Sequence, residues 1–305
     1  MHRLFGRDRN AGAEGRRHEI FASVLSRPAA SGRASALHAN RGDKGSGTAV
    51  GDGAAAHVTI RGLCKRFNDA VVYDRFDLDI PRGKLVSIFG PNGCGKSTLI
   101  NMIAGLILPD AGEILFAGKP LRDIKFGYVF QNYREALFPW LRSIDNIEYP
   151  LRLMKLPKTE RRARTRRLLA HLGVKIDLNC YPYELSGGQQ QLVSIMRALV
   201  VEPEILFLDE PFSALDYEMT LFMRDQLQRI FVETGTTTVL VSHDLEEAVY
   251  LADRILLLSR RPASIADYVH YDAVRPRTDA TLSEQHFVLV KAHCLDVFQR
   301  EVRKV

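Results

Sequence analysis

The apolar run Lys84-Leu85-Val86-Ser87-Ile88-Phe89 meets the loop Gly90-Pro91-Asn92-Gly93-Cys94-Gly95-Lys96-Ser97-Thr98, and a helical pattern follows at once. Few folds accommodate that order. A short apolar run without alternation suits a strand buried on both faces, which belongs in a parallel sheet covered by helices. Residues 90–97 match the spacing G-x-x-x-x-G-K-[ST] in the strand-to-helix context that gives the motif its meaning. Glycines let the backbone curl until successive N–H groups face inward on a phosphate, and the following helix adds the positive end of its dipole. Lys96 is placed to reach β- and γ-phosphates, and the Ser97 hydroxyl to ligate Mg²⁺. Cys94 reads as a small residue whose backbone matters, with a redox role as the alternative.

The pattern around this loop is that of an α/β chain. His57 to Leu63 alternates weakly, and Val71 to Ile80, closed by Pro81-Arg82-Gly83, reads as a strand pair. Thr98 to Leu108 has helical spacing, with Leu99, Met102, Ile103 and Leu106 on one face, and Pro109-Asp110-Ala111-Gly112 closes it. Strands are expected at Glu113–Phe116 and Lys125–Phe130. From Phe138 to Val201 the pattern is helical. Thr159 is placed to cap a helix that stops at Gly173, and Gln189 to Val201 gathers Leu192, Ile195, Met196, Leu199 and Val200 on one face. Ile205–Leu208 and Thr236–Ser242 read as strands around a helix at Met219–Glu233. A parallel sheet interrupted by a helical insertion is the simplest architecture.

Composition excludes several classes. The chain has 305 residues, 46% hydrophobic and 26% charged, ordinary for a globular protein. No run approaches the roughly 18 apolar residues of a membrane span. Met1 to Asn10 is basic, but no apolar core of signal-peptide length follows. Nine Lys/Arg against five Asp/Glu in residues 1–56 supply +4 of the +6 net charge, so the basic balance argues little for nucleic acid. That segment is rich in Ala, Gly, Ser and Arg and is expected to be disordered, though His18 to Leu25 has the pattern of a short helix. Four scattered cysteines, Cys64, Cys94, Cys180 and Cys294, argue against a disulfide framework or a zinc site and fit a reducing cytosol. The expected division is 1–56 as an extension, 57–260 as the main domain with its helical part at 138–201, and 261–305 packed on or trailing the core.

Two further groups carry chemistry. Ile205-Leu206-Phe207-Leu208-Asp209-Glu210 is an apolar strand ending in two carboxylates, where open sheets bind ligands. Asp209 suits a Mg²⁺ shell, and Glu210 suits polarising a water in line for phosphoryl transfer. Leu185-Ser186-Gly187-Gly188-Gln189 is a glycine turn opening a helix, a second natural phosphate contact 95 residues after the first. One nucleotide needs one cradle, so two such elements in one chain point to two copies sharing nucleotides.

Together these residues resemble the ATP-binding subunit of an ABC transporter over about residues 57–260. Leu185 to Gln189 match that family's signature letter for letter, and Glu210-Pro211-Phe212-Ser213-Ala214-Leu215-Asp216 resembles its Walker B glutamate running into the D-loop. Gln131 after Phe130 resembles the Q-loop glutamine, here also a Mg²⁺ contact, and His243 the switch histidine. Phe67 sits where such proteins stack an aromatic on adenine; core packing suits it equally. The resemblance implies a P-loop NTPase core with a mainly parallel sheet, an N-terminal antiparallel β subdomain and an inserted α-helical subdomain. It implies ATP and Mg²⁺ as cofactors, and a homodimer around two ATPs. Ser186, Gly187, Gly188, Gln189 and Asp216 of one copy would then contact the nucleotide held by Lys96 of the other. Leu192 and Met196 depart from the family pattern, which usually has arginine and commonly alanine there.

The aromatic segment Tyr133 to Leu141, holding the only tryptophan, Trp140, lies where the family faces its membrane subunit; for Leu137 and Leu141 the protein's own core is the alternative. Lys155 to Arg167 reads as a solvated basic face. Phe138-Pro139-Trp140-Leu141, Pro211 to Asp216 and the short tail look most like the nitrate/sulfonate/taurine importer group. That likeness implies an ATPase on the cytoplasmic face of the inner membrane, working with transmembrane permease subunits and, indirectly, a solute-binding protein, without nucleic acid. The alternative is a soluble non-transport ABC ATPase acting on nucleic acid or ribosomes.

Overall fold

The computed structural model describes residues 55–173, 176–213 and 215–304. The expected extension up to residue 54, with its helix at His18–Leu25, lies outside the described residues, as does Ala214. The described residues begin with an antiparallel hairpin, β1 (Ala56–Phe67) and β2 (Ala70–Pro81), turning at Asn68-Asp69. Val71–Ile80 is therefore one strand and not a strand pair; its partner is β1, which runs past Leu63 to Phe67 through several register shifts. β3 (Leu85–Phe89) leads into the glycine loop and α1 (Lys96–Ile103). That helix ends earlier than its pattern suggests: Gly105 at φ 70° breaks it, and Leu106 packs from the turn beyond. β4 (Ala111–Phe116) absorbs the expected turn residues Ala111 and Gly112 and returns to pair with β1.

β5 (Phe126–Val129) precedes the helical part, made of α2 (Tyr133–Ala136), α3 (Ser143–Leu153), α4 (Lys158–Leu172) and α5 (Gly187–Leu199). Thr159 does not cap α4. Pro157 occupies the N-cap with no side-chain bond, because proline's fixed φ already starts the turn. Gly173 does end that helix, in the left-handed conformation at φ 61°. β6 (Ile205–Asp209), α6 (Tyr217–Thr234) and β7 (Thr237–Val241) follow, then α7 (Leu245–Leu251), β8 (Arg254–Leu258), β9 (Ile265–His270) and α8 (Gln285–Arg303).

Two sheets result. The larger has the order β5-β6-β7-β3-β8-β9, parallel throughout except for the antiparallel edge strand β9. The smaller, β2-β1-β4, is antiparallel. Strands β3, β6, β7 and β8 are buried along their whole length, which explains their unbroken apolar sequences. Their residues alternate between two cores. Leu85, Leu206, Leu208 and Leu240 join the cluster that includes α5, α6 and α8, while Val86, Ile88, Phe207, Val239 and Val241 join the one between α1 and the small sheet. The crossing order brings the carboxyl ends of β3, β5, β6 and β7 to one edge, each ending next to a residue singled out above.

Candidate active site

The loop after β3 is shaped by positive backbone angles and close packing. Gly95 sits at φ 128°, and a Cβ there would lie 2.7 Å from Val72 Cγ1. The Tyr73 hydroxyl donates to the Gly95 carbonyl at 3.1 Å, so the small sheet braces the loop from behind. Lys96 Nζ curls back to donate to the carbonyls of Gly90 at 2.8 Å and Pro91 at 3.2 Å. An ammonium held on neutral carbonyls in a buried loop is poised to exchange them for a phosphate. Cys94 is buried, and burial pushes its thiol up from its ordinary value. A protonated, enclosed thiol is a poor redox group.

Ser97 Oγ donates to Asp209 Oδ1 at 3.3 Å, joining the start of α1 to the end of β6. Asp209 is buried beside Glu210. Desolvation first, then the Glu210 charge, push its carboxyl up to about 6, against the hydrogen bonds from Ser97 and Tyr128 and the charge of Lys96. Glu210 itself has φ +47°, a strained value for a side-chain-bearing residue, and its N–H donates to Val241 O at 2.9 Å. Its Oε2 accepts from Gln131 Nε2 at 2.6 Å and lies 3.5 Å from His243 Nδ1. Carboxylate, amide and imidazole thus meet at one point on the sheet edge, delivered by β6, β5 and β7.

Ser186 to Gln189 and Asp216 take no part in that network among the described residues. Ser186 is the N-cap of α5. Its Oγ accepts from Gln189 N at 3.3 Å while its own N–H donates to Gln189 Oε1 at 3.0 Å, a reciprocal capping box. Asp216 caps α6 by accepting from Met219 N at 2.8 Å. Phe67, at the end of β1, is 44% exposed with Lys65 Nζ 5.2 Å from its ring centroid, so it is a surface aromatic and not a core one. Leu192 and Met196 are both buried in the larger core.

In the aromatic segment, Tyr133 and Leu137 are buried, Leu141 is half-buried, and Trp140 is 68% exposed. Phe138 packs between Trp140 at 5.6 Å and Tyr149 at 4.7 Å, and Asn146 holds the loop by bonding both the N–H and the carbonyl of Phe138 and the carbonyl of Leu141. One participant went unseen in the sequence. The Tyr128 hydroxyl lies 2.8 Å from Asn101 Oδ1 and 3.4 Å from Asp209 Oδ2. Its signal was a phenol on a strand otherwise buried, three residues before Gln131, since a buried tyrosine tip needs a polar partner.

Known proteins match this chain in sequence and in fold. The family model described as ABC transporter matches residues 73–213. An uncharacterized ABC transporter ATP-binding protein of Methanocaldococcus jannaschii is 37% identical over 239 residues, covering 78% of this chain and 88% of that protein. A sulfate/thiosulfate import ATP-binding protein of Pseudomonas aeruginosa is 43% identical over 214 residues, covering 67% and 64%. Two dimeric structures of one bacterial ABC transporter cassette match with TM-scores of 0.63 and 0.61. One is a post-hydrolysis state bound to ADP and Pi; each is 30% identical and covers 71% of this chain and all of the other. The fold is therefore shared with dimeric ABC cassettes that are 30% identical, and the sequence matches an ABC transporter ATP-binding protein over most of both chains. The chain belongs to the ABC transporter ATP-binding proteins, and it is an ATP-binding ATPase.

Proposed function

We propose that this chain powers an importer, closing as a homodimer on two ATPs and opening after hydrolysis to move a separate permease. The observation that carries the reading is the meeting of Gln131, Glu210 and His243 beside Lys96, Ser97 and Asp209. The loop 90–98 would hold the phosphates through its N–H groups, with Lys96 Nζ on the β- and γ-oxygens and Phe67 against the adenine. Glu210 Oε2 would accept a proton from water as its oxygen bonds to the γ-phosphorus. The bond from that phosphorus to the β-phosphate oxygen breaks, and ADP and phosphate leave. Gln131 orients Glu210 and the water, and His243 steadies the γ-phosphate from the other side.

The donor set suits Mg²⁺: a hydroxyl on Ser97, a carboxylate on Asp209 and an amide oxygen on Gln131 are all hard oxygen ligands. When bound, Mg²⁺ would neutralise charge on the β- and γ-phosphates. Asp209, whose ionisation burial and Glu210 disfavour, would then have a second cationic neighbour besides Lys96.

The capping turn at Ser186–Gln189, whose side-chain hydrogen bonds close on itself and whose Gly188 packs against Met219 of α6, would take a partner subunit's phosphate as its ligand, with Asp216 of that turn's copy contributing. The exposed Trp140 over a rigid loop supports docking to a membrane subunit, which would place the chain at the cytoplasmic face of the inner membrane; among the described residues no helix is long and apolar enough to cross it. The sulfate/thiosulfate import role named for the Pseudomonas relative, together with residues 138–141, favours oxyanion solutes of the nitrate/sulfonate/taurine kind, delivered by a solute-binding protein. The test is ATP-dependent uptake into vesicles holding this subunit with its co-purified permease. Uptake of sulfonates or nitrate supports the reading, and ATP hydrolysis stimulated only by RNA or ribosomes refutes it.

A further inference from the structure

Arg277 lies between β9 and α8, and its side chain is fully buried. A buried guanidinium must find acceptors for its donors. Nη1 donates to the carbonyls of Val249 at 3.1 Å, Tyr250 at 2.7 Å and Ala252 at 2.7 Å, and Nη2 to Tyr271 O at 3.0 Å. Arg275 Nη2 takes the remaining carbonyl of that turn, Leu251 O, while its Nε and Nη2 grip Asp253 Oδ1 at 3.1 and 2.8 Å. Four successive carbonyls at the end of α7 thus face two arginines, at the site where a helix leaves carbonyls unpartnered and its dipole is negative. Burial lowers the Arg277 pKa to about 10, which still leaves it charged at neutral pH.

The backbone of Arg277 is fixed in turn. Its N–H donates to Gln228 Oε1 at 2.9 Å, and its carbonyl accepts from Gln228 Nε2 at 2.9 Å and the Tyr250 hydroxyl at 2.8 Å. Gln228 is on α6, so the clasp is anchored to a separate element. Asp253 carries the connection further, since its Oδ2 accepts from Leu85 N at 2.9 Å, at the start of the strand that ends in the phosphate loop.

α7 is seven residues long, about 10 Å from end to end, and too short to hold itself. At its start Asp244 caps it by accepting from Glu246 N and Glu247 N, and His243 stands just before that cap. Along its length the Lys291–Glu246 ion pair and the Ser242–Glu247 hydrogen bond add side support. The arginine clasp closes the far end. A helix capped at both ends is a rod, and its N-terminal end presents His243 to Glu210.

We infer that Arg277 is a positioning residue for ATP hydrolysis, acting through α7 to hold His243 against Glu210. The inference rests on the role proposed above for His243. The test compares ATP turnover by the wild type, His243→Ala, Arg277→Lys and the double variant. Lysine keeps the charge and loses the planar fork. Arg277→Lys is expected to lower kcat about tenfold while KM for ATP moves less than about twofold. In the His243→Ala background the same change should cost less than about twofold more, because both act through one group. A full tenfold loss in both backgrounds, or an unchanged kcat in Arg277→Lys, overturns the role of Arg277 while leaving that of His243 standing. Wild-type turnover by His243→Ala removes the role of His243, and the inference with it. If Arg277→Lys does not fold, Tyr250→Phe removes the hydroxyl that bonds the Arg277 carbonyl and meets the Gln228 side chain of the same clasp. It should show the same dependence on His243 with a loss of about threefold, and a loss independent of His243 overturns the inference.

Discussion

Lys96 and Glu210 stand in opposite conditions before nucleotide arrives. Lys96 is satisfied on two loop carbonyls, which hold the ammonium in place without neutralising it. Glu210 is strained at its backbone and restrained at its carboxylate by Gln131 and His243. In the proposed mechanism the first arrangement would serve binding and the second turnover. Lys96→Ala should therefore lose ATP affinity by about 2–3 kcal/mol, roughly 30–150-fold, the worth of charge-assisted bonds to phosphate. Calorimetric titration of ATP checks this, and unchanged affinity would contradict the phosphate-loop assignment. Asp209 adds a caution about reading charge from sequence: next to Glu210 and out of water, it ionises less readily than an ordinary carboxylate.

Among the elements, the legible ones were those whose neighbours in sequence determine their environment. β3, β6 and β7 are buried on both faces and carry unbroken apolar runs, so their strand character shows without knowledge of the fold. The phosphate loop and the signature turn announce themselves because glycine and a capping serine are required by backbone geometry. What stayed hidden depends on distant partners. β8, β9 and α8 owe their place to sheet closure, and Arg277 looks like any tail arginine until the carbonyls of α7 are seen around it. Thr159 was misleading because a threonine one residue inside a helix start has the look of a cap, while Pro157 had already set the turn.

Element packing also yields a pH dependence away from the nucleotide. His57 on β1 is buried with Nδ1 2.6 Å from Thr237 Oγ1 on β7, and its Nε2 has no partner among the described residues. Burial first, then the Arg82 charge, hold its pKa below the ordinary 6.5. The unfolded chain therefore takes up this proton at a higher pH than the folded one, and stability is lost as pH falls from 6.5 towards the depressed value. His57→Asn should flatten that part of a melting-temperature profile; an unchanged slope would show that His57 does not titrate there. In the helical part, Asn146 and the Phe138–Tyr149 contact hold Trp140 out from the surface. Trp140→Ala should leave ATP affinity unchanged and weaken co-purification with the permease, since exposed aromatics on rigid loops tend to anchor interfaces. Full retention of the permease would count against that docking face.

For the molecule as a whole, the decisive observation is that the phosphate loop reaches the carboxylates of β6 within one chain, while the Ser186–Gln189 turn takes no part in that set among the described residues. The Ser186–Gln189 turn bonds to itself, while Lys96, Ser97, Asp209, Gln131, Glu210 and His243 form a connected set. In the proposed dimer a second copy turned head to tail would complete the site, and the relative bound to ADP and Pi is itself dimeric. The most direct test is the mass of Glu210→Gln in solution with ATP, compared with that of the Ser186→Arg, Glu210→Gln double variant. The account predicts that the first elutes as an ATP-dependent dimer with hydrolysis slowed about 10²–10⁴-fold, and that the second stays monomeric while still binding ATP through Lys96. A double variant that dimerises on ATP as readily as Glu210→Gln would contradict the shared site.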